Sequence, residues 1–444
     1  GMYRIQKFDD QTTGMHWQIQ KGGGFHFYQA QKLQKEFPLA VALGTDPAML
    51  FATIAALPEG IDEVMFAGFL RNARFPMMKA KTIPLDVPAN AEFILEGFVP
   101  LDETRLEGPF GDHFGHYSNA ANFPVFNIKT ITHKRNAIYP GIVVGKPPME
   151  DKFLGDATQQ ILAPLIKLIH KEITAMWAYY EAGFHNLLVV AVAQRYQKEA
   201  MKAALGIMGT DQLSLTKCII TVSENVDVKN WNAVLHEIKN NFDPHFDFVM
   251  IPKVPLDTLD FSSYKMNLGS KMIVDATRKQ GAESRERRDF RFEISDLRLI
   301  DSRILQANLI DETLLLVKVE SPIPKTIEQS SLTPTLQHSN TPSSGKEILE
   351  KLLRLPELQS LKIIACVSED VDIFDKESYI WGVFTRFDCE RDVIFSEQKL
   401  IGISPVYNGV MGIDATWKIG YPAPLIMNDE IVKRVDAKWG RMWK

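Results

Sequence analysis

The feature that most constrains the fold is a duplication in the C-terminal half of the chain. Ser223 and Ser368 are 145 residues apart, as are Phe242 and Phe387, whereas Asp275 and Asp414 are 139 apart. The motifs around these residues recur in the same order: Ile220-Thr-Val-Ser-Glu-Asn-Val-Asp227 with Ala365-Cys-Val-Ser-Glu-Asp-Val-Asp372, Asn241-Phe-Asp243 with Arg386-Phe-Asp388, and Val274-Asp-Ala-Thr277 with Ile413-Asp-Ala-Thr416. Collinear repeats separated by one short deletion rarely arise by chance, so the sequence predicts two copies of one folding unit.

Strand and helix patterns alternate through the first copy. The predicted strands are 187–193, 218–222 and 246–251, and the predicted helices are 161–169, 196–208 and 231–238. Gly209 ends the second helix, and Asp227 or Asn230 is the N-cap of the third. This alternation predicts an open parallel sheet with right-handed crossovers.

The first 150 residues are richer in predicted strands. Residues 92–99 and 123–132 carry aromatic and β-branched side chains between turn-forming residues, as a barrel or sandwich requires. Asp46 followed by Pro47 predicts the start of a helix between them. Residues 320–346 are dense in Ser, Thr, Pro and Gln, which indicates a surface linker.

Composition excludes several classes of protein. A length of 444 residues allows two to four domains, and 45% apolar with 24% charged residues is typical of a globular chain. The net charge of -5 offers no basic excess, so nucleic acid is not an expected partner. No apolar run is long enough to span a membrane, and three scattered cysteines predict a reducing, cytoplasmic compartment. Gly1 before Met2 indicates a protease scar, with Met2 as the expected natural start.

The densest group of reactive side chains lies at residues 106–118. Glu107 and Asp112 flank a Gly-Pro-Phe-Gly turn, with His113 and His116 beside them. Two carboxylates in different surroundings can titrate apart and serve acid–base chemistry. Spacing alone leaves two other interpretations open, a solvated turn and a metal cluster of Asp112, His113 and His116.

At this segment the chain resembles the UbiD family of carboxy-lyases, which includes the 3-polyprenyl-4-hydroxybenzoate and ferulic acid decarboxylases. The resemblance covers about residues 2–280 in the expected order and rests on long, specific motifs. The motifs are Met2-Tyr-Arg-Ile-Gln6, Thr13-Gly-Met-His-Trp17, Glu107-Gly-Pro-Phe-Gly-Asp112-His113, Gly145-Lys-Pro-Pro-Met-Glu-Asp151 and Gly269-Ser-Lys-Met-Ile-Val-Asp-Ala-Thr277.

The resemblance implies a fold and a domain order. It implies a flavin-reductase-like split β-barrel followed by an α/β domain with a duplicated C-terminal α/β unit, and prenylated FMN held between barrel and α/β domain. We therefore expect a flavin-binding barrel at 1–150, an α/β domain at 151–285, a connecting segment and linker at 286–345, and a degenerate repeat at 346–444. Relative to the family, an N-terminal α/β region is expected to be missing.

The resemblance also implies catalytic roles. The family's Arg-Glu-Glu/Asp trio falls on Arg4, Glu107 and Asp112. A guanidinium can bind a substrate carboxylate through two hydrogen bonds, and the flavin can accept the electron pair left when carbon dioxide departs. Asp112 corresponds to the proton donor, and Glu107 to the carboxylate that pairs with the arginine.

Cofactor ligands follow from the same motifs. Lys271 corresponds to the lysine on the flavin phosphate, Met2 and Gln20 to further cofactor contacts, and Glu63 to the metal-binding glutamate. Gln20 stands where the family has a metal-binding histidine, and the family's asparagine falls before Gly1. A glutamine oxygen suits Mn²⁺ or Mg²⁺, with K⁺ as a further candidate ion. His16 and His26 lie nearby in sequence and are expected to be packed or surface residues.

The resemblance implies a non-oxidative, prenylated-FMN-dependent decarboxylase of an aromatic or α,β-unsaturated carboxylic acid. The resemblance further implies ubiquinone or menaquinone biosynthesis, a homo-oligomer, and a flavin prenyltransferase as the source of the cofactor. The alternative is a catalytically silent paralogue, a flavin-binding or assembly subunit with an incomplete metal site. Val410 replaces Lys271 in the second copy, which is therefore expected to act in packing or assembly, with Trp381 and Phe384 as core residues.

Overall fold

The computed structural model describes residues 1–17, 21–55, 57, 60–263, 265, 267–278, 297–321, 323–324 and 344–442, without the side chain of Asp211. The chain forms two compact units. The N-terminal unit comprises Gly1–Phe110 and Asn119–Val143, and the C-terminal unit comprises Gly111–Ser118 and Val144–Lys444. None of the described helices combines the length and the apolar character needed to cross a membrane.

The N-terminal unit contains an open antiparallel sheet. Its strand order is β1-β7-β5-β2, with β6 also paired to β7, while β3 and β4 form a separate pair. The described strands are β1 (Thr12–Gly14), β2 (Phe37–Leu43), β3 (Met77–Lys79), β4 (Asp86–Pro88), β5 (Phe93–Val99), β6 (Thr104–Glu107) and β7 (Ala121–His133), and the described helices are α1 (Gly22–Leu33), α2 (Pro47–Ile54) and α3 (Glu63–Arg71). These strands do not close into a barrel, so the expected split barrel is not borne out in that detail.

Local sequence explains how this unit forms. The predicted strands at 92–99 and 123–132 are confirmed as β5 and β7, and α2 begins where predicted because the Asp46 side chain accepts the Ala48 N–H. The core of the sheet is aromatic, with Trp17 and Phe27 rings 5.1 Å apart at their centroids and Phe126 fully buried. Such aromatic pairs add specific geometry to the apolar area they bury.

The C-terminal unit contains two five-stranded sheets with their helices. The first sheet is built from β8 (Ile173–Ala178), β9 (Leu188–Val192), β10 (Cys218–Ser223), β11 (Phe248–Val254) and β12 (Gly269–Asp275), and the second from β13 (Ile304–Ile310), β14 (Leu314–Val319), β15 (Ile363–Val367), β16 (Val393–Ile401) and β17 (Ser404–Ala415). The described helices are α4 (Asp151–Ile169), α5 (Glu199–Ile207), α6 (Trp231–Asn241), α7 (Pro244–Asp247), α8 (Leu297–Ile300), α9 (Ser344–Leu352), α10 (Lys376–Phe384) and α11 (Asp429–Met442). Asn230 caps α6, one of the two predicted positions.

The two sheets have the same topology. The first runs β8-β9-β10-β12-β11 and the second β13-β14-β15-β17-β16, and in each the three central strands are parallel while both edge strands are antiparallel. The prediction of an open parallel sheet is therefore right for the central strands and wrong at the edges, because short hairpins such as β13-β14 can join only antiparallel strands. We call the β8–β12 part the first copy and the β13–β17 part the second copy.

The sheets of the two copies share one core. Residues of alternating strand positions point to opposite faces, so Ile220 and Ile413 face the shared core, whereas Ile219 packs with α5 and Ile364 packs with α9. Helices α6 and α10 contribute their apolar faces to the shared core. Each fully buried aliphatic side chain in it contributes roughly 1.5 to 3 kcal/mol.

Reciprocal lysine contacts join the copies. Lys217 Nζ donates to the Phe387 carbonyl at 2.9 Å, and Lys362, 145 residues after Lys217, donates to the Phe242 carbonyl at 2.7 Å. The equivalent lysine of each copy thus contacts the equivalent backbone carbonyl of the other copy.

Two strands lie within the predicted connecting segment. Strands β13 and β14 lie within 286–345, where a connecting segment and linker are predicted, and they form the edge of the second sheet. Their apolar residues contribute to both faces of that sheet. Most of the Ser- and Pro-rich stretch 320–346 lies outside the described residues, and the domain boundaries at 150, 285 and 345 stay predictions.

Candidate functional site

Glu107, the last residue of β6, is fully buried in the N-terminal unit. His16 Nδ1 lies 3.4 Å from Glu107 Oε1. Neither oxygen of Glu107 and neither ring nitrogen of His16 makes a hydrogen bond to a described residue. Burying a carboxylate without hydrogen bonds costs several kcal/mol, so this side chain is not retained for stability.

The surroundings of this pair are apolar and close. The His16 ring lies 4.2 Å from the Phe123 ring and 5.0 Å from the Phe110 ring, measured between centroids. Gly14 is required beside them, because a Cβ atom there would stand 2.2 Å from Glu107 Oε2. The expectation that His16 is packed is right, but its carboxylate neighbour was not predicted.

The segment of Arg4 runs beside Glu107. Gln6 stands two residues after Arg4. The backbone carbonyl of Gln6 accepts the Gly14 N–H at 2.8 Å, and the side-chain oxygen of Gln6 accepts the Gly108 N–H at 2.6 Å. Arg4 itself is half-buried. The structure therefore brings the chain segments of two predicted catalytic residues together within the N-terminal unit.

Asp112 lies in the C-terminal unit, within Gly111–Ser118, which we call the Asp112 segment. Its carboxylate is buried, and Oδ1 accepts the His113 N–H at 2.6 Å and lies 2.8 Å from His113 Nδ1. The Asp112 N–H donates to the His116 carbonyl, and the Gly115 N–H donates to the Asp112 carbonyl. The segment is thus a tight turn closed on Asp112, and not the solvated turn considered from the sequence.

His116 is held by the second copy. Its Nε2 lies 3.2 Å from Arg386 Nε, and its Nδ1 lies 3.0 Å from the Phe114 carbonyl. Because Arg386 Nε can only donate, His116 accepts at Nε2 and carries its proton on Nδ1. Burial and then the Arg386 charge hold the pKa of His116 well below its usual value. The metal cluster with Asp112 and His113 is excluded, as the described residues contain no group of three metal-binding side chains.

A charged and aromatic cluster surrounds this histidine. Arg386 is fully buried and forms two hydrogen bonds of 2.7 Å with Asp370. Burial alone would raise the pKa of Asp370, but the Arg386 guanidinium outweighs it and holds that pKa below its usual range. Trp381 stacks on His116 at 5.1 Å, and its Nε1 donates to the Phe114 carbonyl at 2.9 Å. Trp381 is a core residue as expected, but it also binds the Asp112 segment.

Sequence reasoning missed the role of Arg386 and Asp370. A signal was present in the repeat, because Asn225 and Asn241 of the first copy are replaced by Asp370 and Arg386 in the second. Two neutral residues replaced by opposite charges indicate a new ion pair.

Lys271 lies on β12, in the first copy, with its side chain buried. Its Nζ donates to the Ser214 carbonyl, and no described carboxylate lies within ion-pair distance. Burial lowers the pKa of Lys271 to about 8. A buried amine without a carboxylate partner is suited to an anionic group such as phosphate.

The remaining predicted ligands are spread around the start of the chain. Glu63 begins α3, and its Oε1 lies 3.9 Å from where a Cβ of Gly22 would stand. Met2 is half exposed, and Gln20 lies outside the described residues. Of the expected metal ligands, the described part of the chain therefore provides Glu63. One carboxylate does not make a metal site.

Comparisons with known proteins cover most of this fold. The family model described as the 3-octaprenyl-4-hydroxybenzoate carboxy-lyase Rift-related domain matches residues 1–147, and that of the C-terminal domain matches 152–276 and 318–415. The second family model covers the first copy and residues 318–415 of the second, so both copies contribute to one family domain.

Individual relatives agree with these matches. An uncharacterized protein of Archaeoglobus fulgidus is 49% identical over 65% of this chain and 60% of its own length. A protein of Chlamydia pneumoniae, described as one subunit of a 4-hydroxybenzoate decarboxylase, is 32% identical over 99% of this chain and 70% of its own length.

Solved structures share the fold. The vanillic acid decarboxylase of Sedimentibacter hydroxybenzoicus in closed form has a TM-score of 0.60 and 28% identity, covering 66% of this chain and 62% of that one. A UbiD-class enzyme of Pelotomaculum thermopropionicum in complex with FMN has a TM-score of 0.56 and 22% identity, covering 68% and 66%, and shows the fold alone. The chain spans about 60% of the length of the first relative and of the first of these structures.

Proposed function

The chain belongs to the UbiD family of carboxy-lyases, and on that premise we propose that it is a non-oxidative, prenylated-FMN-dependent decarboxylase of an aromatic or α,β-unsaturated carboxylic acid. The observation that carries the proposal is Glu107, a fully buried carboxylate without a hydrogen bond to any described residue, beside His16. The names of two relatives, one from a 4-hydroxybenzoate decarboxylase and one a vanillic acid decarboxylase, support the reaction type.

The residues present fit the cofactor. The buried amine of Lys271 suits the flavin phosphate, and the unsatisfied Glu107 and His16 suit a polar ligand in an otherwise aromatic site. Prenylated FMN, when bound, supplies an electron sink for the electron pair released with carbon dioxide. Met2 and Gln20 are proposed as further contacts of the cofactor.

This chain's own residues would bind the acid and move one proton. Arg4 binds the substrate carboxylate through its guanidinium, and Glu107 pairs with that guanidinium to orient it. Asp112 delivers a proton to the carbon that has lost carbon dioxide. Phe110 and Phe123 pack against His16, next to the fully buried Glu107, and such apolar surroundings keep water out.

The described residues do not form a metal site. Glu63 remains the proposed ligand for Mn²⁺ or Mg²⁺, and K⁺ is a further proposal, but the described donor set does not hold an ion. A flavin prenyltransferase as the cofactor source, a cytoplasmic location, homo-oligomeric assembly and a role in ubiquinone or menaquinone biosynthesis complete the proposal.

The proposal is tested by reconstitution. The purified chain is loaded with prenylated FMN, and carbon dioxide release is measured with 4-hydroxybenzoate, vanillate and ferulate. We expect bound flavin in the absorption spectrum and release from at least one acid, with loss of turnover in Glu107→Gln but not in the half-exposed control Glu103→Gln. A chain that binds no flavin would overturn the proposal.

The second candidate is a flavin-binding or assembly subunit without turnover. Gln20 favours it, because the resemblance expects a histidine at that position. This candidate predicts bound flavin, no carbon dioxide from any acid of the panel, and no effect of Asp112→Asn on flavin binding.

A further inference from the structure

We propose that the second copy positions the proposed proton donor: Arg386, anchored by Asp370, acts with Trp381 as a clamp that fixes His116 and thereby the Asp112 segment. The inference rests on the proposed role of Asp112 in proton delivery. Arg386 and Trp381 are positioning residues, because they contact the segment and not the reacting atoms.

The clamp is built from buried groups with matched geometry. The two 2.7 Å hydrogen bonds to Asp370 use both terminal nitrogens of Arg386, so the guanidinium plane is fixed and Nε points to His116 Nε2 at 3.2 Å. Paired geometry of this kind gives an arginine direction as well as energy. The guanidinium also lies 4.5 Å from the centre of the Trp381 ring.

The clamp acts on one carbonyl. The Phe114 carbonyl accepts from His116 Nδ1 at 3.0 Å and from Trp381 Nε1 at 2.9 Å. Phe114 is fully buried and stands two residues after Asp112. Gly115 follows with a φ of +72°, and a Cβ there would stand 2.6 Å from Trp381 Nε1, so only glycine fits the close approach.

The segment is also attached to the chain that follows β17. The Tyr117 N–H donates to the Ala423 carbonyl at 3.0 Å, and the Leu425 N–H donates to the Gly115 carbonyl at 2.9 Å. Lys146 lies 4.4 Å from the Trp381 ring centre and 3.4 Å from Asp370 Oδ2. The Asp112 segment is therefore held both by side-chain contacts and by backbone hydrogen bonds.

The first copy lacks this device. At the position of Arg386, Asn241 donates to Glu237 and to the Ala276 carbonyl within its own copy, and Asn225 replaces Asp370. The charged pair thus belongs to the second copy, whereas the first copy contacts His116 through the uncharged Phe261 ring, 4.6 Å away between centroids. A buried ion pair is a costly way to stabilise a core, and its known benefit is to specify one arrangement.

The expected effect of losing the clamp is a misplaced proton donor. A displacement of about 1 Å can lower a rate roughly 100-fold. Arg386→Gln should therefore lower kcat by roughly 10- to 100-fold with KM changed less than about threefold, because substrate binding is proposed to rest on Arg4 and Glu107. Trp381→Phe, which removes one donor and keeps the ring, should give a smaller loss.

The test combines kinetics with amide hydrogen exchange on the full chain loaded with prenylated FMN. Exchange at residues 111–118 should become faster in Arg386→Gln and, more weakly, in Trp381→Phe. The matched control is Arg303→Gln, which removes the Arg303–Asp301 ion pair of the same copy without a contact to the segment, and it should leave exchange at 111–118 and kcat unchanged.

Unchanged exchange at 111–118, or a wild-type kcat, in a folded Arg386→Gln would overturn the proposal. If Arg386→Gln does not fold, Trp381→Phe decides by the same two readouts. Should the wild-type chain release no carbon dioxide, the proposed function fails, whereas the exchange experiment still accepts or rejects the clamp.

Discussion

The first and second copies share a sheet topology and differ in what their side chains contact. In both, an aspartate at the C-terminal end of a central strand, Asp275 in β12 and Asp414 in β17, accepts hydrogen bonds from the N–H and the hydroxyl of the threonine two residues later. The first copy carries Lys271 where the second has Val410. The comparison indicates that the aspartate–threonine turn was kept after duplication, whereas the charged residues outside it differ between the copies.

A second comparison concerns the lysine that neutralises equivalent buried aspartates in the two copies. Asp247 and Asp275 of the first copy are neutralised by Lys198, which precedes α5. Their counterparts Asp392 and Asp414 are neutralised by Lys418, which follows β17. Two buried carboxylates need a nearby cation, and the chain supplies it from different places in the sequence.

The largest expected effect concerns the residue that the second copy is proposed to position. Asp112→Asn should lower turnover by roughly 1,000-fold or more while leaving bound flavin unchanged, because an amide cannot donate the proton. Turnover and the flavin spectrum measure this, with the exposed Asp102→Asn as control. Residual turnover close to wild type would remove the reason for a clamp.

Next comes the reciprocal lysine pair. Lys217→Met should lower the free energy of unfolding by roughly 3 to 5 kcal/mol, because Lys217 is fully buried and 3.0 Å from the buried Asp260, which would lose its partner. Lys362→Met should cost less, because Lys362 is only partly buried and its removal leaves less desolvated charge. Urea unfolding compares the two, and equal losses would contradict this difference between the copies.

A smaller effect is expected in the pH dependence of FMN binding. The pKa of Lys271 is lowered to about 8, so the amine is charged below pH 8 and neutral above it. The affinity for FMN should therefore fall roughly tenfold from pH 7 to pH 9, since the phosphate is already ionised over that range. Lys271→Met should bind weakly and show no such fall, and a parallel fall in that variant would contradict the assignment.

The smallest effect is predicted for the shared turns. Thr277→Val and Thr416→Val should each lower the free energy of unfolding by about 1 kcal/mol, because each removes one hydrogen bond to a buried aspartate. Thr277→Val should cost slightly more, since Gln194 also donates to that hydroxyl. A larger loss in the second copy would mean that the turns have diverged.

The sequence predicted the elements and the repeat better than the contacts. Helix α2, strand β5 and the cap at Asn230 follow from local patterns, which act over a few residues. The ion pair of Asp370 with Arg386 joins residues 16 apart, and its contact with His116 spans 270 residues, a separation that no local pattern encodes. The antiparallel edges of both sheets were missed for the same reason.

The central claim is that the two copies have different roles, the first in cofactor binding and the second in positioning the proton donor. The most direct test measures both FMN affinity and turnover per bound flavin in Arg386→Gln and in Lys271→Met. The account predicts that Lys271→Met loses affinity and keeps most of its turnover per bound flavin, whereas Arg386→Gln keeps its affinity and loses turnover. Loss of FMN affinity in Arg386→Gln with normal turnover per bound flavin would contradict it.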